Sequence, residues 1–173
     1  PILSEPVRTG AKGIPPALYG RRLADVGQAG LTLFGPAMSY PLAVIERGAL
    51  DHNLAAMKSW VTGAGMLIAP HGKTTMCPQL FDLQLQAGAW GITLANWPQA
   101  RIAHAYGLRR ILIANQIVSA AEIHDIARLL DADASLEIIC LVDSGAQLRR
   151  MEAALAGHAG RAVPVMVELG LAG

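Results

Sequence analysis

One lysine stands where an amine could act as a nucleophile. Lys73 lies in Ala69-Pro70-His71-Gly72-Lys73-Thr74-Thr75-Met76, directly after the apolar run Met66-Leu67-Ile68. This reads as a buried strand that ends in a turn, with the lysine at its C-terminal mouth. Burial there disfavours the ammonium form, lowers the pKa and frees the amine, as a Schiff-base lysine requires. The plainer alternative is a surface lysine on a loop. His71 sits two residues before Lys73, so an extended strand would turn both to one face; on its own it reads as a packing histidine.

Other polar residues fall at the ends of apolar runs. Asn115 and Gln116 follow Ile111-Leu112-Ile113-Ala114, and Thr93 and Asn96 follow Gly91-Ile92. Asp143 and Ser144 close Leu136–Val142, and Glu168 lies on Val165-Met166-Val167-Glu168-Leu169. Thr75, Asn96 and Ser144 read most simply as helix N-caps. Asp143 either supports a helix start through the dipole or bonds within the mouth. Glu168 faces the mouth or a partner arginine. Asn115 and Gln116 could serve only their own loop. Gly72-Lys73-Thr74 matches the end of a phosphate-binding loop, but the glycine that motif needs is Leu67. No His, Cys, Asp and Glu cluster has zinc-ligand spacing, so no metal ligand is assigned.

The elements that must position these residues alternate regularly after Pro41. Apolar strands are expected to begin near Leu42, Met66, Gly91, Arg110, Leu136 and Val163. Between them Leu50, Leu54, Met57 and Val61 share one helical face; so do Ile123, Ile126, Ala127 and Leu130, and Leu148, Met151 and Leu155. A helix is expected from near Met76. Ser119 with Glu122, and Ser144 with Gln147, have capping-box spacing. Buried strands alternating with helices mean a parallel sheet. The repeat of roughly twenty to twenty-seven residues suits a (β/α)8 TIM barrel, whose functional residues gather at the C-terminal strand ends. Six strands fall short of eight, so the barrel is incomplete in this chain, which ends at Gly173 on the last strand. A doubly wound open sheet is the alternative. Residues 1–40 carry many Gly and Pro and read as an irregular N-terminal arm with at most a short helix and a short strand at Leu31–Phe34; residues 41–173 form the first part of the barrel.

The 173 residues suffice for one domain with a sizeable core. At 53% hydrophobic and 16% charged, the chain is not disordered. A net charge of +1, without basic clusters interleaved with aromatics, points away from nucleic acid. Apolar runs are too short to span a membrane, and no signal-peptide pattern opens the chain. Cys77 and Cys140 suggest no disulfide framework, which fits a reduced, cytoplasmic compartment. The start at Pro1 rather than Met suggests a processed or partial chain.

Three blocks, Pro70-His71-Gly72-Lys73-Thr74, Leu85-Gln86-Ala87-Gly88-Ala89-Trp90-Gly91-Ile92-Thr93 and Ala114-Asn115-Gln116-Ile117-Val118, carry a family resemblance. From about Pro41 to Gly173 the chain resembles the N-terminal part of the D-serine dehydratase/D-threonine aldolase group, and within it the D-serine deaminase-like amino-acid deaminases. These are pyridoxal-phosphate enzymes on the alanine-racemase-type (fold type III) barrel. The resemblance implies that Lys73 bonds the cofactor covalently and is the catalytic residue. It makes His71 a neighbour of the pyridine ring and turns Asn115 towards the cofactor pocket. With the mouth positions it gives a cofactor-binding set of Lys73, His71, Thr74, Asn115, Asp143 and Glu168. It also implies deamination of D-serine to pyruvate and ammonia, with retro-aldol cleavage of D-threonine on the same scaffold as the alternative. A non-catalytic pyridoxal-phosphate homeostasis protein is an alternative of another class. The resemblance further implies a D-amino acid as ligand, a homodimer at full length, and a divalent metal, zinc or manganese, held by a C-terminal β-domain that this chain lacks. The glycine-rich segment for the phosphate would follow Gly173.

Overall fold

The computed structural model describes residues 2–170; the expected chain end at Gly173 lies outside them. They pack as two compact units, one running up to Asp51 and one from His52 onward.

The first unit is built from short turns. Two 3-10 turns, Ile2–Ser4 and Pro16–Leu18, precede the one-turn helix α1, Leu23–Val26. Val7 is pinned between them: its N–H donates to Arg21 O at 2.7 Å, and its carbonyl accepts from Gly20 N at 2.8 Å. Val7 and Leu18 are the buried hydrophobic residues here. The strand expected at Leu31–Phe34 does not form. Gly30, Gly35 and Pro36 punctuate it, Gly35 N–H closes a turn on Thr32 O, and Phe34 is left exposed. The strand expected at Leu42 is also absent, and Val44 and Ile45 are exposed. An apolar run becomes a strand only where a neighbour takes up its backbone groups.

Helix α2, Arg47–Gly63, follows the predicted spacing. The Glu46 carboxylate takes the N–H groups of Gly48 and Ala49, and Arg47 pairs with Asp51 at 2.8 Å. Of its apolar residues Val61 is buried, while Met57 and Trp60 are exposed.

The second unit holds the sheet. Residues 66–72 run beside β1, Ile92–Leu94. Trp90 N–H donates to Ile68 O, Thr93 N–H to Pro70 O and Gly72 N–H to Thr93 O, each at 2.8 Å. The expected strand is therefore present as one extended segment joined by a single parallel bridge, His71 to Thr93. Pro70 has no N–H to give, so no continuous ladder forms. Helix α3, Pro78–Gln86, starts two residues later than expected from Met76. Met76 has φ of +42°, a left-handed turn that a helix cannot include.

The remainder alternates as expected: α4, Trp97–Ala105; β2, Arg110–Gln116; α5, Ala120–Ala132; β3, Glu137–Val142; α6, Gly145–Ala154; and β4, Val165–Val167. The four strands are parallel and lie in chain order, β1-β2-β3-β4. A doubly wound sheet needs a reversal of strand order; none occurs among the described strands. Crossovers between sequential parallel strands are right-handed as a rule, which puts α4, α5 and α6 on one face of the sheet. Burial agrees: Ile111, Ile113, Ile138, Cys140 and Val142 are buried with Trp97, Ala100, Ile123, Ile126 and Met151. Leu112, Ala114, Ile139 and Leu141 alternate with them and are only half-buried.

Candidate functional site

The predicted residues line up along the C-terminal edge of this sheet. In register with Thr93, His71 belongs to the face of Leu112 and Ile139, opposite the helices. Thr93 is nearly fully buried and fixes the approach. Besides its two backbone bonds, its hydroxyl donates to Ala69 O at 2.7 Å.

After His71 the chain bends. Gly72 packs so closely that a Cβ would lie 2.5 Å from the Phe81 ring and 2.7 Å from Ile92 Cγ2. Its carbonyl accepts from Met76 N–H at 2.9 Å and stands 3.5 Å from the Thr75 hydroxyl. Lys73 therefore sits in the turn, not on the strand, so the shared strand face expected for His71 and Lys73 is lost. Lys73 is also exposed, so the burial expected to free its amine is not provided by the described residues. Thr74 is exposed. Thr75 does not cap α3; Cys77 holds that position without a side-chain bond to the helix backbone, its thiol donating to Gln79 Oε1 at 3.3 Å.

Two helix starts share one device. Asn96 Oδ1 accepts from Gln99 N–H at 3.0 Å, and Gln99 Oε1 accepts from Ala95 N–H at 3.0 Å. Ser144 Oγ accepts from Gln147 N–H, and Gln147 Oε1 accepts from Asp143 N–H, both at 3.2 Å. Ser119, by contrast, stands at the N-cap of α5 without a side-chain bond.

At the end of β2 the register with β3 shifts between Ile113 and Gln116. Asn115 occupies that irregularity and turns its Oδ1 to Gln116 N–H at 2.9 Å. Its amide thus serves its own loop, leaving the NH2 group over. Gln116 Nε2 donates to Glu168 Oε2 at 2.6 Å, while Glu168 N–H donates to Val142 O at 2.8 Å. Glu168 thus meets a glutamine rather than an arginine, and the pair reaches from β2 to the end of β4 past the end of β3. Asp143 follows β3; its carboxylate makes no hydrogen bond or ion pair among the described residues, and its backbone is tied to Gln147. The site therefore contains two groupings, His71–Lys73 and Gln116–Glu168 beside Asp143.

Sequence reasoning missed the tie from Gln99 to Lys73, whose carbonyl accepts from Gln99 Nε2 at 3.4 Å. The Asn96-Trp97-Pro98-Gln99 spacing carried the same signal as Ser144-Gly145-Ala146-Gln147. No group of three or more His, Cys, Asp and Glu among the described residues could hold a metal.

No family model matches the chain. A D-threonine aldolase from an Arthrobacter species is 29% identical over 167 residues, which is 96% of this chain and 40% of that enzyme. Among solved structures, D-threo-3-hydroxyaspartate dehydratase from a Delftia species superposes with a TM-score of 0.67 at 26% identity, over 75% of this chain and 33% of that one. D-threonine aldolase from Filomicrobium marinum gives a TM-score of 0.69 at 23% identity, over 78% of this chain and 35% of that one. The chain is homologous to the Arthrobacter aldolase and the Delftia dehydratase, and it shares the fold of the Filomicrobium enzyme. It spans about 40% of the length of the curated aldolase. The matched part includes the parallel sheet and the turn that carries Lys73.

Proposed function

We propose that this chain is the lysine-bearing part of a pyridoxal-phosphate-dependent lyase acting on D-amino acids with a β-hydroxyl group, built on a (β/α) barrel to which its four strands belong. The observation that carries the reading is the placement of Lys73. It follows an extended segment stapled to β1, at the C-terminal edge of a sequentially wound parallel sheet, where barrels keep their functional groups. Homology to an aldolase and a dehydratase supports it.

The residues fit such a cofactor. The Lys73 amine is exposed and makes no hydrogen bond or ion pair among the described residues, so it is free to form a covalent bond. His71, Thr74, Asn115, Asp143 and Glu168 offer an imidazole, a hydroxyl, an amide and two carboxylates along the same edge. The chemistry supplied on binding would be an aldehyde carbon for the lysine amine and an electron-withdrawing ring for the substrate Cα. Lys73 Nζ in its neutral form would take the Cα proton. Gln116 holds the Glu168 carboxylate in place, and the turn closed on Gly72 fixes the lysine backbone. One solved relative is described as a dehydratase in metal-free form; a divalent metal in the present protein would be held outside the described residues.

The reaction proposed first is loss of the β-hydroxyl from D-serine, giving pyruvate and ammonia. Cleavage of D-threonine to glycine and acetaldehyde is a second reading, favoured by the likeness to the aldolases. Product analysis on the full-length protein with both substrates separates the two. Attachment of the cofactor without turnover of any D-amino acid would instead indicate a non-catalytic carrier. Borohydride reduction with pyridoxal phosphate, followed by peptide mapping, should place the adduct on Lys73. Turnover retained by Lys73→Ala would sink the assignment.

A further inference from the structure

We infer that Gln99 is a positioning residue for Lys73, an inference that rests on reading Lys73 as the cofactor-bonding lysine. Gln99 is the third residue of α4, and each polar group of its side chain is engaged. Its Oε1 accepts from Ala95 N–H at 3.0 Å. Only an oxygen can meet that N–H, so the amide has one orientation and its NH2 group must face the other way. There it meets Lys73 O at 3.4 Å.

The turn gives that contact its importance. Gly72 is held on both sides, by Thr93 O and by Met76 N–H. The Lys73 carbonyl has Gln99 alone as a hydrogen-bond partner among the described residues. Gln99 thus joins the lysine's backbone to a helix anchored by buried Trp97, Ala100 and Ala103. The sister junction separates this role from helix capping. Gln147 makes the same two cap contacts, yet its Nε2 returns to its own strand, to Leu141 O at 3.0 Å. Capping explains the oxygen of both glutamines. It does not explain why the amide hydrogens of Gln99 are spent on the turn that follows the extended segment 66–72.

The test compares Gln99→Glu, Gln99→Met and the control Gln147→Glu in the full-length protein. Glutamate keeps the acceptor for Ala95 N–H and loses the donor to Lys73; methionine loses both. The readout is the rate at which pyridoxal phosphate is fixed on Lys73 by borohydride, relative to Lys12 and Lys58. It is measured on the high-pH plateau, where the amine is neutral in every variant. Melting temperature and labelling of Lys73 by formaldehyde, which needs no aligned lysine, are followed in parallel. Gln99→Glu should melt like the wild type and take formaldehyde normally, yet take pyridoxal phosphate roughly two- to tenfold more slowly, as for one lost hydrogen bond. Gln147→Glu should label at the wild-type rate. Labelling of Gln99→Glu at the wild-type rate would reduce Gln99 to a helix cap and overturn the inference. Wild-type protein that labels Lys73 no faster than Lys12 and Lys58 would overturn the reading of the site itself.

Discussion

The two ends of the parallel strands are built on opposite principles. At the C-terminal ends charge is left without an opposite partner: Lys73 and Asp143 are exposed and unpaired among the described residues, His71 is exposed, and Glu168 meets the neutral Gln116 amide rather than a cation. At the N-terminal ends charge is used up. Asp133, just after α5, takes Ser135 N–H at 3.0 Å and the Ser135 hydroxyl at 2.6 Å on one oxygen. Its other oxygen meets His104 Nε2 at 3.1 Å and Arg109 Nε at 3.2 Å. Arg161 donates to three carbonyls, Leu130 O, Asp133 O and Leu136 O, at 2.7 to 3.1 Å. One end pairs its charged side chains with each other and with loop carbonyls; the other leaves the Lys73 amine and the Asp143 carboxylate unpaired among the described residues. Barrel enzymes as a class keep chemistry at one rim and stability at the other, and the function proposed above would place the same division here.

The sharpest way to break this contrast is at Lys73. Lys73→Ala should lose all cofactor attachment and turnover, while unfolding stability changes by less than about 0.5 kcal/mol, as for an exposed, unpaired side chain. A large loss of stability would mean that the free end also holds the fold together. Gly72 marks where the two roles meet. Gly72→Val drives a branched side chain into Phe81 and Ile92 and should cost about 2–3 kcal/mol by denaturant unfolding, as overpacking does. At the opposite rim, Arg161→Met keeps the stem and removes three charged hydrogen bonds. It should cost about 1–2 kcal/mol and leave labelling of Lys73 unchanged. Slowed labelling in Arg161→Met would show that the two rims are coupled.

How much of this was legible depended on whether a feature is local. The alternation from Gly91 onward could be read because each strand is a short apolar run and α5 and α6 carry matching stripes; Ile111, Ile113, Ile138 and Cys140 are buried as the runs imply. Leu42 failed because an apolar run says nothing about whether a partner strand lies beside it. The segment after Met66 was right in place and incomplete in form, because Pro70 withholds one N–H. Lys73 follows its extended segment as the sequence implied, but its exposure was not foreseeable, since burial depends on chain far away in sequence. The Gln116–Glu168 pair joins residues 52 positions apart. Each was visible as a polar residue ending an apolar strand, but their meeting is set by the strand order. The Asn96–Gln99 cap was legible in spacing alone, but the tie from Gln99 to Lys73 spans 26 residues and is set by how α4 lies against the turn.

The smallest expected effect tests the saturated rim by pH. The Asp133 carboxyl is held down from its ordinary value of 3.8 to about 2, first by the Ser135 hydroxyl and then by His104, with Ser135 N–H and Arg109 adding to it against a desolvation cost. The folded protein therefore binds that proton less tightly than the unfolded chain does. The resulting stabilisation is fully present above the unfolded value and is lost as pH falls through about 2. Asp133→Asn should melt below the wild type at neutral pH, and the gap should close between pH 3.8 and about 2. Because Asp133 and its partners are partly exposed, added salt should narrow the gap at neutral pH as well. A gap that persists unchanged at pH 2 would show that the rim is held by the shape of the Asp133 turn rather than by its charge. The two ends would then differ in packing, and no longer in how they use ionised groups.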